Sequence, residues 1–223
     1  MKAAIDQREH WVRTYESKTD FLGQDPSEVG RTALARFQTA GARELLELGP
    51  GQGRDTLPFA AAGLSVSALD YADSGLTQII ERATVAELAS SIHPVVADVR
   101  ERLPWADSTF DATFAHMLLC MSLTTAEIEH LVAEVRRVLR PGGLFVYSVR
   151  NKSDAHYGVG VDHGDDRFEM GGFIVHFFDR ALIDRLADGF ELLDVAEYEE
   201  GKLPRRISAV AMRKHRGGKE PSG

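Results

Sequence analysis

One cysteine, Cys120, stands in the whole 223-residue chain. An intrachain disulfide and a cysteine-built zinc site are both excluded, since each needs more than one thiolate. No apolar run approaches the roughly 18–20 residues that cross a bilayer as a helix. Residues 1–13 mix charges with polar side chains and hold no apolar signal core, so no membrane contact is expected and a cytoplasmic location is. Basic charge is short too: 26 Lys and Arg stand against 34 Asp and Glu, a formal net charge of -8. A nucleic-acid surface needs clustered cations to displace counterions from phosphate, so no nucleic-acid partner is expected. The compact basic group Arg213, Lys214, His215, Arg216 and Lys219 follows the last apolar segment at the start of a Gly/Pro/Ser tail, and residues 214–223 are expected to be flexible. No internal repeat or low-complexity linker divides the chain.

What is present is an alternation of strand and helix patterns, over a length that suits one domain. Short apolar runs at 44–48, 64–69, 94–97, 110–116 and 144–149 read as strands, and 190–198 with 207–212 as an antiparallel pair at the sheet edge. Helical spacing appears between them, at 54–62, 73–90 and 124–139. Thr124 and Glu127 form a capping box for the last of these, and Pro141-Gly142-Gly143 breaks it. An earlier helix, with Val29, Ala33 and Phe37 in register, is expected to start at Asp25-Pro26-Ser27-Glu28, with Asp25 as cap, and to stop at Gly41. Asp179 caps a further helix through Leu186. The expected fold is therefore α/β, a doubly wound, seven-stranded, mostly parallel sheet with an antiparallel C-terminal hairpin. Residues 1–24, with Trp11, Tyr15 and Phe21, are expected to lie over a cleft as a lid. Residues 25–213 form the main domain, and the aperiodic stretch 151–172 reads as a long loop inside an insertion at 151–178.

The segment most loaded with chemistry is Glu47-Leu-Gly-Pro-Gly-Gln-Gly53. Glycines after a strand let the backbone turn hard and approach a ligand with no Cβ in the way, and the next helix offers free N–H groups. Asp70 follows Gly51 by 19 residues, at the end of the next strand, where a carboxylate can accept hydrogen bonds from both ribose hydroxyls. Asp98 ends the third strand, where it can accept from an adenine amino group. All three sit at the carboxyl ends of adjacent parallel strands, the edge where open α/β sheets bind ligands. A nicotinamide fingerprint wants glycine three residues after Gly53; Thr56 stands there, which leans away from a dehydrogenase.

These residues resemble the first motifs of the class I S-adenosylmethionine-dependent methyltransferases, which have a Rossmann-like fold. Asp98 with Leu103-Pro-Trp-Ala-Asp-Ser-Thr-Phe-Asp111 is similar to a further stretch of that superfamily, and Glu134-Val-Arg-Arg-Val-Leu-Arg-Pro-Gly-Gly143 to another. The terminal hairpin is similar to its reversed seventh strand. Tyr15 with Asp25-Pro26-Ser27, and Gly172-Phe-Ile-Val-His-Phe-Phe178, resemble tellurite-resistance-type and thiol methyltransferases of similar size. The resemblance implies S-adenosyl-L-methionine as cofactor and a small-molecule methyl acceptor, in a monomer or homodimer. By position it places Glu47, Gly49, Gly51 and Gly53 against the cofactor, the Gly49 carbonyl on its methionyl amine, Asp70 on the ribose and Tyr71 beside the adenine. Asp98 and Val99 would hold the adenine edge, His116 and Met117 would line the methyl end, and Tyr15 would close over it. Two other readings stay open: a nucleotide-cofactor oxidoreductase of the NAD type, and an inactive cofactor-binding regulatory module.

Candidate bases are His116, His156, His163 and His176, because a neutral imidazole accepts a proton at ordinary pH. His163 lies in the acidic run Asp162-His-Gly-Asp-Asp166, which reads as a solvated loop or as an attractor for a cationic acceptor. No tight ligand spacing points to a metal. Cys120, in Met117-Leu-Leu-Cys-Met121, reads as a buried small hydrophobe. Phe173, Phe177 and Phe178 either wall an acceptor pocket or fill core.

Overall fold

Apolar side chains occupy both faces of the segment Glu44–Leu48, so it has to lie between two layers of helices. The computed structural model, which describes residues 7–19, 21, 23–201 and 205–216, places it there. The strands, in chain order, are β1 (Glu44–Leu48), β2 (Ser65–Asp70), β3 (Ile92–Val96), β4 (Phe110–His116) and β5 (Leu139–Arg150). After them come β6 (Val161–Asp162), β7 (Arg167–Met170), β8 (Phe173–His176), β9 (Phe190–Glu200) and β10 (Arg205–Lys214). The helices are α1 (Gln7–Ser17), α2 (Glu28–Thr39), α3 (Thr56–Ala61), α4 (Asp73–Val85), α5 (Thr125–Val138) and α6 (Arg180–Leu186).

Seven strands form the main sheet in the order β3-β2-β1-β4-β5-β10-β9. The first five run parallel, and β10 runs antiparallel to both of its neighbours. This is the doubly wound arrangement expected, with its reversal of strand order between β1 and β4. Alternation along β1 divides the core. Leu45 packs with Phe37, Phe59, Leu76 and Ile79 from α2, α3 and α4. Leu46 and Leu48 pack on the other side with Ile128, Leu131 and Val135 of α5 and Leu182 of α6.

The sequence reading needs correcting in four places. Helix α2 is capped by Ser27, not Asp25: the Ser27 hydroxyl accepts the Gly30 N–H at 2.7 Å. Helix α4 stops at Val85, short of residue 90. There Glu87 adopts the left-handed conformation (φ 60°), and the Glu87 and Leu88 amides bond back to Thr84 and Ala83. That is the glycine-type helix stop built without glycine, so no residue type announces it. Strand β5 begins at Leu139, five residues before the expected start, so Pro141-Gly142-Gly143 lies within it. The stretch read as loop holds β6 and β7, which with β8 form a three-stranded antiparallel sheet. Its strands of two to four residues are too short to show a period. Bridges from Met121 to Val175 and from Asn151 to Phe178 tie this small sheet to the main body.

Of the terminal segments, residues 1–6, 20, 22 and 217–223 lie outside the described residues, so part of the lid and most of the tail do too. Within the expected tail, Lys214 ends β10 and its ammonium donates to the Leu139 carbonyl at 2.6 Å.

Candidate functional site

The turn leaving β1 brings Gly49 and Pro50 to the wall of a cavity. Gly49 takes a left-handed conformation (φ 66°) and donates to the Leu69 carbonyl at 2.8 Å. A Cβ at Gly49 would sit 2.9 Å from Leu118 Cδ1, so glycine is needed both for the turn and for the packing behind it. Gly75 lets the first turn of α4 press on the same loop, since a Cβ there would clash with the Gly51 carbonyl. Asp70, at the tip of β2, is held by two backbone amides: Ala72 N–H at 2.9 Å to Oδ1 and Gly51 N–H at 3.3 Å to Oδ2. Burial pushes its carboxyl up to about 6, against the pull of those amides. Glu47, buried within β1, is pushed up to about 8 by burial, and its Oε2 has no hydrogen-bond partner.

Over these tips lies a cavity of about 470 Å³. It follows the carboxyl edge of the sheet in strand order. Asp98, Val99 and Arg100 line it beyond β3, Asp70 and Tyr71 beyond β2, and Glu47 and Gly49 at β1. His116 and Met117 continue it at β4, Arg150 at β5, and Arg205 and Glu200 at the hairpin of β10 and β9. The cavity thus spans the point where the strand order reverses. Asp98 is met by Arg100, whose Nη2 donates at 2.6 Å and whose Nε donates at 3.0 and 3.1 Å; this pair holds the Asp98 carboxyl below its ordinary value.

Helix α1 forms the roof. Tyr15 is buried and lines the cavity with Trp11. Trp11 meets the Phe173 ring at 4.8 Å and the Phe21 ring at 6.1 Å. Gln7 pins the helix to the small sheet, donating to the Gly172 carbonyl at 2.9 Å and accepting the Ile174 N–H at 3.3 Å. Phe173 therefore walls the cavity, whereas Phe177 and Phe178 are fully buried in core.

The structure separates the four candidate histidines. His116 and His156 line the cavity; His163 and His176 do not. His163 Nε2 lies 2.9 Å from Glu169 Oε2 on the small sheet, a hydrogen-bond partner the acidic run did not suggest. His176 is buried beneath it, with Nδ1 2.8 Å from the Leu123 carbonyl, and burial lowers its pKa. Gly51 and Gly53 likewise shape the turn from behind without lining the cavity. Cys120 is fully buried and its thiol is pushed up to about 11 by burial, so it behaves as a small hydrophobe.

Several lining residues were not singled out in advance: Arg54, Arg150, Glu200 and Arg205. Arg54 Nη2 donates to Glu200 Oε1 at 2.6 Å and approaches His116 Nε2 at 3.5 Å. His116 Nδ1 lies 2.7 Å from Ser148 Oγ, which also accepts the Met117 N–H at 3.0 Å. Met117 and Ser122, both at the cavity wall, hold left-handed backbone (φ 59° each), strain of about 1 kcal/mol or more apiece for side chains with a Cβ. The antiparallel return was the signal for Glu200 and Arg205, because a hairpin entering beside β5 in reverse puts its tip at the carboxyl edge.

Residues 45–143 match the protein family described as Methyltransferase domain. The match takes in Glu47, Gly49, Asp70, Asp98 and His116, the residues at the parallel strand tips along the cavity. An uncharacterized chloroplastic methyltransferase of Arabidopsis thaliana is 35% identical over 142 residues, 61% of this chain and 38% of that protein. A demethylmenaquinone methyltransferase of Streptomyces avermitilis is 27% identical over 154 residues, 65% of this chain and 62% of the relative. The chain thus matches less than two thirds of the length of either. A Burkholderia thailandensis 1,6-didemethyltoxoflavin-N1-methyltransferase, solved with its substrate and S-adenosylhomocysteine, superposes with a TM-score of 0.72 at 22% identity, over 94% of this chain and 87% of that one.

Within the matched residues, segments 103–111 and 134–143 are structural and stay out of the cavity. Asp111 accepts the Arg43 and Glu44 amides at 2.9 and 3.0 Å, joining β4 to the start of β1, and also pairs with Arg140. Glu134 accepts the Leu103 amide at 3.0 Å and pairs with Arg137, which binds the Leu103 and Trp105 carbonyls.

Proposed function

We propose that this chain transfers the methyl group of S-adenosyl-L-methionine to an oxygen, nitrogen or sulfur atom of a small molecule. The observation that carries the reading is one continuous cavity in which Gly49, Asp70 and Asp98 stand at three neighbouring strand tips.

The residues present fit an adenosyl group. Asp70 offers a carboxylate at the cavity wall, already aimed by two amides and with lone pairs to spare for ribose hydroxyls. Asp98 and Val99 would take the adenine edge, Tyr71 its face, and the Gly49 carbonyl the methionyl amine. Tyr15 and Trp11, in the lid of residues 1–24, would close over the methionyl end. When bound, the cofactor supplies a methyl group already activated by the positive charge on sulfur. The chain's task is alignment: holding acceptor and methyl carbon in line can lower the barrier by about 7–11 kcal/mol. His116, Met117 and Arg150, with Met170 and Phe173 from the 151–178 insertion, wall the space left for the acceptor.

Two similar proteins, one named for demethylmenaquinone and one for 1,6-didemethyltoxoflavin, favour a small acceptor. The net charge of -8 disfavours nucleic acid, and a cytoplasmic location belongs to the same reading. Among the described residues no helix is long and apolar enough to cross a membrane. The reading is tested by thermal shift with S-adenosylhomocysteine and with NADH. Stabilisation by the first alone is expected; stabilisation by NADH alone would make the chain an oxidoreductase instead.

A further inference from the structure

We infer that His116 is the general base of this site, positioned by Ser148 and answered by Glu200, and that the acceptor therefore attacks through an atom that arrives protonated: a hydroxyl on an aromatic or enolic carbon, or an amine. This rests on the methyltransferase reading above and narrows its acceptor.

The tautomer of His116 follows from its neighbours. An arginine only donates, so Arg54 Nη2 at 3.5 Å faces a bare Nε2 lone pair. The ring proton then sits on Nδ1 and is donated to Ser148 Oγ at 2.7 Å. Ser148 Oγ accepts the Met117 amide as well, which uses its second lone pair and fixes the hydroxyl in place. The Phe114 ring, nearly parallel at 6.3 Å, holds the imidazole plane. Nε2 is then the basic nitrogen of a residue that lines the cavity at the tip of β4.

The charges around it suit a base that starts neutral and ends charged. Burial pushes the His116 imidazole below its ordinary value, and the cations Arg54 and Arg205 act in the same direction. Asp55 and Glu200 oppose them. Burial also raises Glu200, but its hydrogen bond to Arg54 and the nearby cations Arg54 and Arg205 hold its carboxyl below the ordinary value. Glu200 Oε2 lies 3.8 Å from Nε2, close enough to steady an imidazolium once a proton arrives. Among the described residues these groups come from several elements: Arg54 and Asp55 from the β1–α3 turn, Ser148 from β5, Glu200 from β9 and Arg205 from β10.

His156 does not share this role. The short bond from Arg150 Nη2, 2.8 Å, occupies its Nδ1 lone pair, whereas Arg54 stands back from His116 Nε2 at 3.5 Å, the limit of a hydrogen bond. In the proposed step the acceptor's proton moves to His116 Nε2. The electron pair so freed forms the bond to the methyl carbon, and the pair of the broken carbon–sulfur bond stays on sulfur as a neutral thioether.

The test is nitrogen-15 NMR of histidine-labelled protein across pH, with S-adenosylhomocysteine bound, using the H116Q spectrum to assign the signal. At pH 7 we expect a neutral ring with hydrogen on Nδ1 and Nε2 bare. E200Q should lower the His116 titration midpoint by about one unit, a tenfold loss of proton affinity. S148A should move the ring proton toward Nε2. A native ring carrying its neutral-form hydrogen on Nε2, a ring already charged at pH 7, or a midpoint unmoved in E200Q would each overturn the assignment. Calorimetry with S-adenosylhomocysteine on the same samples separates the two levels. Absent binding removes the methyltransferase reading itself, while normal binding with the wrong tautomer removes only the base.

Discussion

Asp70 shows how one carboxylate can be both costly and useful. Its two amide bonds aim it, yet burial still lifts it to about 6. Ribose hydroxyls are donors that the ionised form accepts best. We therefore expect the affinity for S-adenosylhomocysteine to fall as pH drops below about 6, because Asp70 takes up a proton there. Asp70→Ala should weaken binding by about 1–3 kcal/mol, since hydroxyls enclosed in the cavity lose their acceptor; calorimetry at pH 7.5 reads this, and unchanged affinity would remove the ribose assignment. Glu47 makes a different prediction. Its folded value of about 8 lies above its ordinary 4.5, so the native state holds a proton that the unfolded chain has released. The stability this contributes is complete below about 4.5 and is lost as pH rises through about 8. Urea unfolding at pH 6 and pH 9 should show wild type weakening between the two, and Glu47→Gln weakening less.

At the scale of elements, the roof and the far side of the sheet can be told apart by mutation. Trp11 covers the cavity and touches Phe173 and Phe21. Trp11→Ala should raise the Kd for S-adenosylhomocysteine roughly tenfold, about 1.4 kcal/mol, with little change in the ligand-free melting point. Helix α5 is opened by a reciprocal capping box, Thr124 with Glu127, and packs on the other face of the sheet. Thr124→Ala should lower unfolding free energy by about 1 kcal/mol in urea and leave cofactor affinity alone. The capping box was legible because it is written in adjacent residues. The end of α4 was not, because Glu87 supplies a left-handed stop that sequence patterns assign to glycine. Nor was the small sheet of β6, β7 and β8, whose strands are too short to repeat an alternation often enough to be read.

Over the whole molecule, legibility follows sequence distance. Gly49, Asp70 and Asp98 belong to successive strand–helix units, so parallel winding alone brings them to one edge, and their spacing could be read directly. The acceptor side is assembled by long returns. Glu200 reaches Arg54 across 146 positions, and Gln7 reaches Gly172 across 165. No local pattern encodes such meetings, which is why His163 and His176 stood beside His116 as equals until the fold placed them elsewhere. The central claim concerns the half that was legible, and a crystal structure with S-adenosylhomocysteine bound tests it most directly. The account predicts ribose hydroxyls on the Asp70 carboxylate, adenine between Tyr71 and the Asp98–Val99 edge, and the sulfur facing His116. A ligand seated elsewhere, or a ribose making no contact with Asp70, would contradict it.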